Sequence, residues 1–274
     1  MAWFKLVAHE QNIPEFLPFC GKPKPIPNQN PAMVAFEWEA LTIHPEVLSL
    51  IRQQNQAGKT CLHWEVKPYR AIFFDMDSTV IAQESIVELA RFAGTAEDVH
   101  RITELAMEGK LDFNEALAQR VATLKGQPVS ILQEVSQRLT LHPGIIELCQ
   151  AAKSHNVELY LISGGFHELA AHIAGQLSFN GYRANFLERR DGVLTGKVVG
   201  AIVNAQEKYQ YLVQTCREKS FHAQDIIAIG DGANDLPMLN YAGLSIGYRP
   251  KEILLPHLHG AVYDSFAVLQ HLFR

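Results

Sequence analysis

The sequence predicts an α/β protein: a Rossmann-like core on a parallel sheet, an inserted helical cap, and a small α/β segment ahead of both. Three observations carry this prediction. Residues 71–74, 157–162 and 225–229 are short, largely apolar runs separated by helical stretches, the pattern of strands buried on both faces of a parallel sheet. The stretch between the first two runs, residues 84–139, is helical in pattern and far too long for a simple crossover. Before all of this, residues 21–31 (GKPKPIPNQNP) hold four prolines and break the pattern.

Taken in order, residues 3–8, 33–39 and 60–66 read as short strands and 45–56 as a short helix, with 21–31 as a loop among them. These make up an N-terminal α/β segment, residues 1–68, whose role the sequence leaves open: dimerisation, regulation by an amino acid, or packing against the core. The core comprises 69–83 and 141–274. The helical stretch, residues 84–140, contains Gly94 and Gly109 as interior breaks and reads as a cap. Ligands of open α/β sheets bind beyond the carboxyl ends of the strands, where a cap would exclude water. Asp191-Gly192, inside residues 185–199, marks a hairpin.

Composition excludes several classes. The net charge of −5 argues against a nucleic-acid partner, whose electrostatic footprint is basic. No apolar run approaches the roughly 20 residues that span a bilayer. The first residues, MAWFKLVAHEQNIPEF, lack the pattern of a signal peptide. Cys20, Cys61, Cys149 and Cys216 are scattered without metal-type spacing. Together these point to a cytoplasmic protein with reduced thiols.

The chemistry collects at strand ends. The first core strand ends FFDMDST, placing Asp75 and Asp77 just beyond it, and the third ends AIGDGAND, with Asp231 and Asp235. Carboxylates brought to one edge of a sheet repel unless a cation joins them, and an oxygen-ligated hard cation such as Mg²⁺ suits the set. The second strand ends ISGGF. Its plain reading is a strand-to-helix turn with Ser163 as N-cap; the functional one is a hydroxyl beside Gly164 and Gly165, which let a ligand approach the backbone. Lys208 lies on a helix leading to the third strand, where a single lysine is ordinarily solvated. In the cap, Phe113, Ala116, Leu117, Arg120, Val121 and Leu124 fall at helical spacing, so Arg120 sits on an apolar face, either at its rim or aimed at a carboxylate. Glu84 opens the cap and, taken alone, is a first-turn acid favoured by the helix dipole. His167, after SGGF, reads as helix surface.

The ordered set DMDST, SGG, a helical lysine and GDGAND resembles the haloacid dehalogenase (HAD) superfamily, and the second Asp with the following Ser-Thr resembles its phosphatase branch. With MEGKLDFNEALAQRVATLKG, LISGGF and IAIGDGANDLPMLNYAGLSIG, the chain is similar to the phosphoserine phosphatase family over roughly residues 70–248. It departs from that pattern at Tyr248-Arg249-Pro250-Lys251. The resemblance implies a HAD fold and hydrolysis of O-phospho-L-serine to serine and phosphate, the last step of serine biosynthesis. It implies Asp75 as nucleophile and Asp77 as acid and base, with Ser163 and Lys208 holding the phosphoryl group. Mg²⁺ would be held by Asp75, the Asp77 carbonyl and Asp231, with Asp235 orienting waters or Lys208. Glu84 and Arg120 would receive the substrate's ammonium and carboxylate, and Met107, Phe113, Gly164, Gly165 and Asn234 would contact it. The partner implied is a small molecule, with no membrane; a homodimer stays open. Alternatives are a phosphatase for a related small ester, a phosphotransferase, and a non-catalytic binding module; the intact acidic set argues against the last.

Overall fold

The computed structural model describes residues 1–26 and 32–273. In chain order its elements are β1 (Ala2–His9), α1 (Ile13–Phe16), β2 (Lys24–Ile26), β3 (Met33–Ala40), α2 (Pro45–Gln56), β4 (Cys61–Glu65) and β5 (Ala71–Asp75). Four helices follow: α3 (Ser85–Ala93), α4 (Ala96–Met107), α5 (Phe113–Ala122) and α6 (Ser130–Ser136). Then come α7 (Ile145–Ser154), β6 (Glu158–Phe166), α8 (His167–Gln176), β7 (Gly181–Arg190), β8 (Val193–Val199) and α9 (Ala205–Lys219). The chain closes with β9 (Ile226–Gly230), α10 (Leu236–Tyr241), β10 (Leu244–Tyr248) and β11 (Gly260–Val262). The α/β class expected from the three apolar runs holds, and each run is a strand.

The chain forms two compact units. One contains Met1–Phe73, His142–Leu159 and Thr215–Arg274; the other contains Phe74–Leu141 and Tyr160–Gln214. Strands β5 and β6 each begin in the first and end in the second.

In the first unit the strand order is β2-β3-β1-β4-β11-β10-β9. Strands β9, β10 and β11 are parallel, and every residue of all three is buried. That is why their sequences are apolar runs with no alternation. The N-terminal strands are antiparallel, β1 lying between β3 and β4. The expected segment 1–68 contributes β1 to β4, and β4 pairs antiparallel with β11. Its core is Leu6, Phe16, Phe36, Trp38, Val47 and Ile51, closed by α2. That helix starts as its Pro45 indicates: proline occupies the first turn, and the His44 ring accepts from the Glu46 amide at 3.2 Å.

The proline-rich stretch needs a correction. Residues 24–26 are not loop but strand β2, paired on one side only, with β3. Proline lacks a donor, so it is tolerated on such an edge. Residues 27–31 of that stretch lie outside the described residues. The departure at Tyr248-Arg249 also has a structural reason. Tyr248 is buried and stacks on Phe266 with ring centroids 4.1 Å apart, and Arg249, at φ 44°, donates from Nε to the Tyr263 carbonyl at 2.9 Å. These residues fasten the end of β10 to the C-terminal stretch.

In the second unit β6 and β7 are parallel, and β7 turns into β8 as the expected hairpin, with Asp191 at φ 51° and Gly192 at φ 80°. Two successive positive φ values match the right-handed twist of the flanking strands. Helices α3 to α6 fill the inserted stretch. Gly94 takes φ 72° and closes α3 as a left-handed cap. Asp112 and Glu115 form a capping box that starts α5. The two ends of the insertion are tied together: Gln83 accepts from the Thr140 amide at 2.9 Å, and the Ala82 amide donates to the Thr140 carbonyl at 2.9 Å.

Candidate active site

Strand β5 delivers Asp75 at its last residue and the backbone then turns sharply. Ser78 in that turn has φ 57°, a conformation that costs free energy for a residue with a side chain. The Ser78 hydroxyl donates to Glu84 Oε1 at 2.8 Å, tying the turn to the start of α3. Asp75 is 3% exposed, and its Oδ1 lies 2.5 Å from Nζ of Lys208, which is itself 1% exposed. The lysine expected on a helix surface, and raised only by its companions in sequence, is thus fully buried against the candidate nucleophile. A buried ammonium needs an anionic partner, and here it has one.

Asp77 is held differently. Its Oδ2 accepts from the Ser85 hydroxyl at 2.8 Å, while its Oδ1 is buried with no hydrogen-bond partner. Burial pushes this carboxyl up to about 7, and the charge of Glu84 pushes the same way; the Ser85 hydrogen bond and Lys208 offset only part of the rise. Two carboxylates two residues apart are therefore unlike: Asp75 faces a cation, and Asp77 favours its protonated form. Such divergence suits a nucleophile beside an acid.

Strand β6 continues through Ser163, Gly164 and Gly165 to Phe166, so Ser163 is not a helix N-cap; α8 starts at His167. The Ser163 hydroxyl, wholly buried, accepts instead from the Gly165 amide at 2.8 Å. Gly165 leaves no room for a side chain unless its neighbours shift: a Cβ there would stand 2.5 Å from Ser85 Oγ and 2.9 Å from both Asp77 Oδ2 and Ser163 Oγ. A Cβ on Gly164 would meet the Phe113 ring at 3.2 Å, which puts Phe113 over this loop.

In the inserted helical stretch, Arg120 is half-buried and donates from Nε to the Ala116 carbonyl at 3.2 Å. Burial lowers its pKa while the carboxylates of Glu84 and Asp77 raise it, so the three charges share one neighbourhood. Ala116, Leu117, Val121 and Leu124 of the same stripe are buried, whereas Phe113 is 37% exposed. Met107, at the end of α4, is 83% exposed. His167 stacks on Phe186 and lies 3.4 Å from the Tyr182 hydroxyl, away from these groups.

Two side chains of this site were not singled out in the sequence. Ser85 is wholly buried and grips Asp77. Asn185 donates to the carbonyls of Gly164 (2.8 Å) and Gly165 (3.2 Å) and accepts from the Val203 amide at 2.8 Å. A small hydroxyl directly after Glu84 was the only trace of the first; the second leaves none.

In the first unit β9 ends at Gly230 and a single 3₁₀ turn carries Ala233–Asp235. Asp235 is wholly buried; its Oδ2 accepts from the amides of Asp231 (3.1 Å) and Gly232 (3.2 Å). A Cβ on Gly230 would lie 2.4 Å from that oxygen, so only glycine lets the carboxylate fold back. Asn234 lies on the same turn, its Oδ1 over Gly232. Asp231 just beyond β9, Asp235 on this turn, and Asp75 at the end of β5 are the carboxylates expected to hold a metal ion. An all-oxygen donor set of this charge fits a hard divalent cation. Among the described residues no helix is long and apolar enough to cross a membrane.

Residues 72–240 match the haloacid dehalogenase-like hydrolase family. The chain is 43% identical to a phosphoserine phosphatase of Polaromonas sp., over 68% of this chain and 82% of that one. It superposes on a haloacid dehalogenase family hydrolase of Salmonella enterica serovar Typhi with TM-score 0.88 and 32% identity, covering 99% of this chain and 98% of that one. A substrate-bound phosphoserine phosphatase complex matches with TM-score 0.70 and 33% identity, covering 76% of this chain and all of the other. Members of the family generally use a divalent metal. The chain belongs to the haloacid dehalogenase-like hydrolase family.

Proposed function

We propose that this protein is a Mg²⁺-dependent phosphomonoesterase that converts O-phospho-L-serine and water to L-serine and phosphate through an aspartyl-phosphate. The observation that carries the reading is the unlike pair of carboxylates after β5: Asp75 buried against Lys208, and Asp77 raised to about 7 two residues on. Asp75 attacks phosphorus, the bond to the seryl oxygen breaks, and Asp77 gives that oxygen its proton. Asp77, now a base, takes a proton from water, whose oxygen attacks the acyl phosphate; phosphate leaves and Asp75 is regenerated. Lys208 and the Ser163 hydroxyl face the phosphoryl oxygens, and Gly164 and Gly165 leave room for the Phe113 ring and for the Ser85, Asp77 and Ser163 side chains to close in beside them. Asp75, Asp231, Asp235 and the Asp77 carbonyl would hold Mg²⁺, which when bound supplies positive charge at the phosphate.

The substrate end is read from Glu84 and Arg120, suited to an ammonium and a carboxylate, with Phe113 over the SGG loop; the contact from Asn234 is taken from the family resemblance. Relatives 36–43% identical named phosphoserine phosphatase support the same choice. We place the enzyme in the cytoplasm, which its four free cysteines suit. The test is phosphate release from a panel of small phosphomonoesters with EDTA and with added Mg²⁺. Phosphoserine should be preferred, EDTA should stop turnover and Mg²⁺ restore it, and Asp75→Asn should be inactive yet folded. Full-rate turnover by the EDTA-treated enzyme or by Asp75→Asn would overturn the reading.

A further inference from the structure

Two asparagines fasten the segment that leads into the helix of Lys208. Asn185 joins the Val203 amide to the carbonyls of Gly164 and Gly165. Asn204, one residue beyond Val203, divides its amide between two jobs. Its Oδ1 accepts from the amides of Gln206 (3.0 Å) and Glu207 (3.1 Å), capping α9, and its own carbonyl accepts from the Lys208 amide at 2.9 Å. Its Nδ2 points the other way and donates to Oδ1 of Asn114 at 3.2 Å, on the first turn of α5. The residue before Asn114 is Phe113, whose ring lies against Gly164. Two adjacent side chains at the start of α5 therefore meet the two segments that present the lysine and the SGG loop. Farther along the same helix stands Arg120.

We propose that Asn204 is a positioning residue, a latch that holds α5 against the phosphate-binding segments while it caps the helix of Lys208. The consequence is metric. Arg120 and Lys208 must grip opposite ends of one small ester, and the Asn204 amide, with the Phe113 ring on Gly164, helps set the separation of the helices that carry them. This inference rests on the phosphoserine reading for its meaning in turnover, but not for its existence.

Serine caps a helix about as well as asparagine but is too short to reach Asn114, so Asn204→Ser keeps the cap and removes the latch. Asn114→Ala removes the latch from the other side and leaves the cap untouched. One hydrogen bond of this kind contributes about 1 kcal/mol, a factor of about five. Binding that is equal in ground and transition states appears in KM alone. Each single variant should raise KM for phosphoserine about fivefold with kcat held. The double variant should do no worse, because both remove the same bond. Asn204→Ala should lower kcat as well, since α9 loses its cap. Wild-type KM in both single variants, or a multiplied effect in the double, would overturn the latch.

Hydrogen exchange supplies a readout that needs no turnover. In Asn204→Ser the amides of α5 should exchange about fivefold faster while those of α9 keep their protection. Unchanged exchange in α5 would overturn the latch. If wild type failed to hydrolyse phosphoserine, the functional reading would fall, and this exchange comparison would still decide the latch.

Discussion

Asp77 offers a prediction about stability that is separate from turnover. Its carboxyl is raised from an ordinary value of 3.8 to about 7, by burial first and by Glu84 second. A carboxyl raised on folding is stabilised in its protonated form. Between about pH 4 and pH 7 the folded protein holds a proton there that the unfolded chain has lost. Stability therefore declines as pH rises through this window, and the loss is complete above about 7. From pH 5 to pH 8 some two units of the shift are crossed, at 1.36 kcal/mol each, so the wild type should lose about 3 kcal/mol through this group. Asp77→Asn has nearly the same shape, can still accept from Ser85, and does not titrate. Groups that do not interact with Asp77 titrate alike in both proteins, so the comparison reads Asp77 together with the neighbours its charge acts on, Glu84, Lys208 and Arg120. The assay is urea unfolding at pH 5, 6, 7 and 8 in EDTA, followed by circular dichroism and tryptophan fluorescence. The gap between variant and wild type should open in the variant's favour by about 3 kcal/mol across that range. Glu84→Gln, which removes the second cause of the rise, should narrow the pH dependence. Parallel profiles for wild type and Asp77→Asn would refute the burial of an ionisable, unpaired oxygen at this site.

Three substitutions test the surroundings. Arg120→Ala should lower kcat/KM for phosphoserine about 100-fold, the smaller end of a broken buried pair because Arg120 is only half-buried, and should cost phosphoethanolamine far less because that ester has no carboxylate. Equal losses on both would make Arg120 a support of the helix. Gly165→Ala forces a methyl to within 2.9 Å of three side-chain oxygens; overpacking of this kind costs about 1–3 kcal/mol in thermal or urea unfolding, and phosphate release should fall at least tenfold. Asn185→Ala strands two carbonyls and an amide, and should destabilise by about 2–3 kcal/mol with KM raised in the same assay; an unchanged KM would show that the SGG loop holds itself.

How much of this was legible in the sequence depends on where each residue finds its partners. Strands β5 and β9 were legible because burial on both faces demands an unbroken apolar run, and the acidic residues that interrupt such runs mark the strand ends. Helix α2 was legible to the residue because proline starts it. Strand β2 was not, since a three-residue edge strand containing Pro25 looks like the loop around it. The SGG segment was misjudged in one of its two readings because Ser and Gly serve a cap and a ligand-facing strand end equally well. What removes the cap reading is β6 running on to Phe166 with the Gly165 amide turned onto Ser163, a matter of backbone geometry.

The same distinction explains why the chemistry was easier to read than its support. Nucleophile, acid and metal ligands must be particular residue types at strand ends, so they stand out as an ordered set. Lys208 belongs to that set, yet helix periodicity gives no reason to bury it; its burial follows from Asp75, 133 residues away in sequence, which no local pattern records. Ser85, Asn185 and Asn204 act through hydrogen bonds to a carboxyl, to backbone or to another amide, and many polar residues could stand at such positions in a sequence without doing so. Their roles exist only once the chain has folded: Ser85 and Asn185 satisfy groups that folding removes from water, and Asn204 joins two segments that only folding brings together. A site of this kind is therefore written in two ways: its reagents in residue type and order, and its tolerances in contacts between segments far apart in the chain. Substitutions of the first kind should abolish turnover, whereas those of the second should shift KM, pH dependence and exchange by factors of a few.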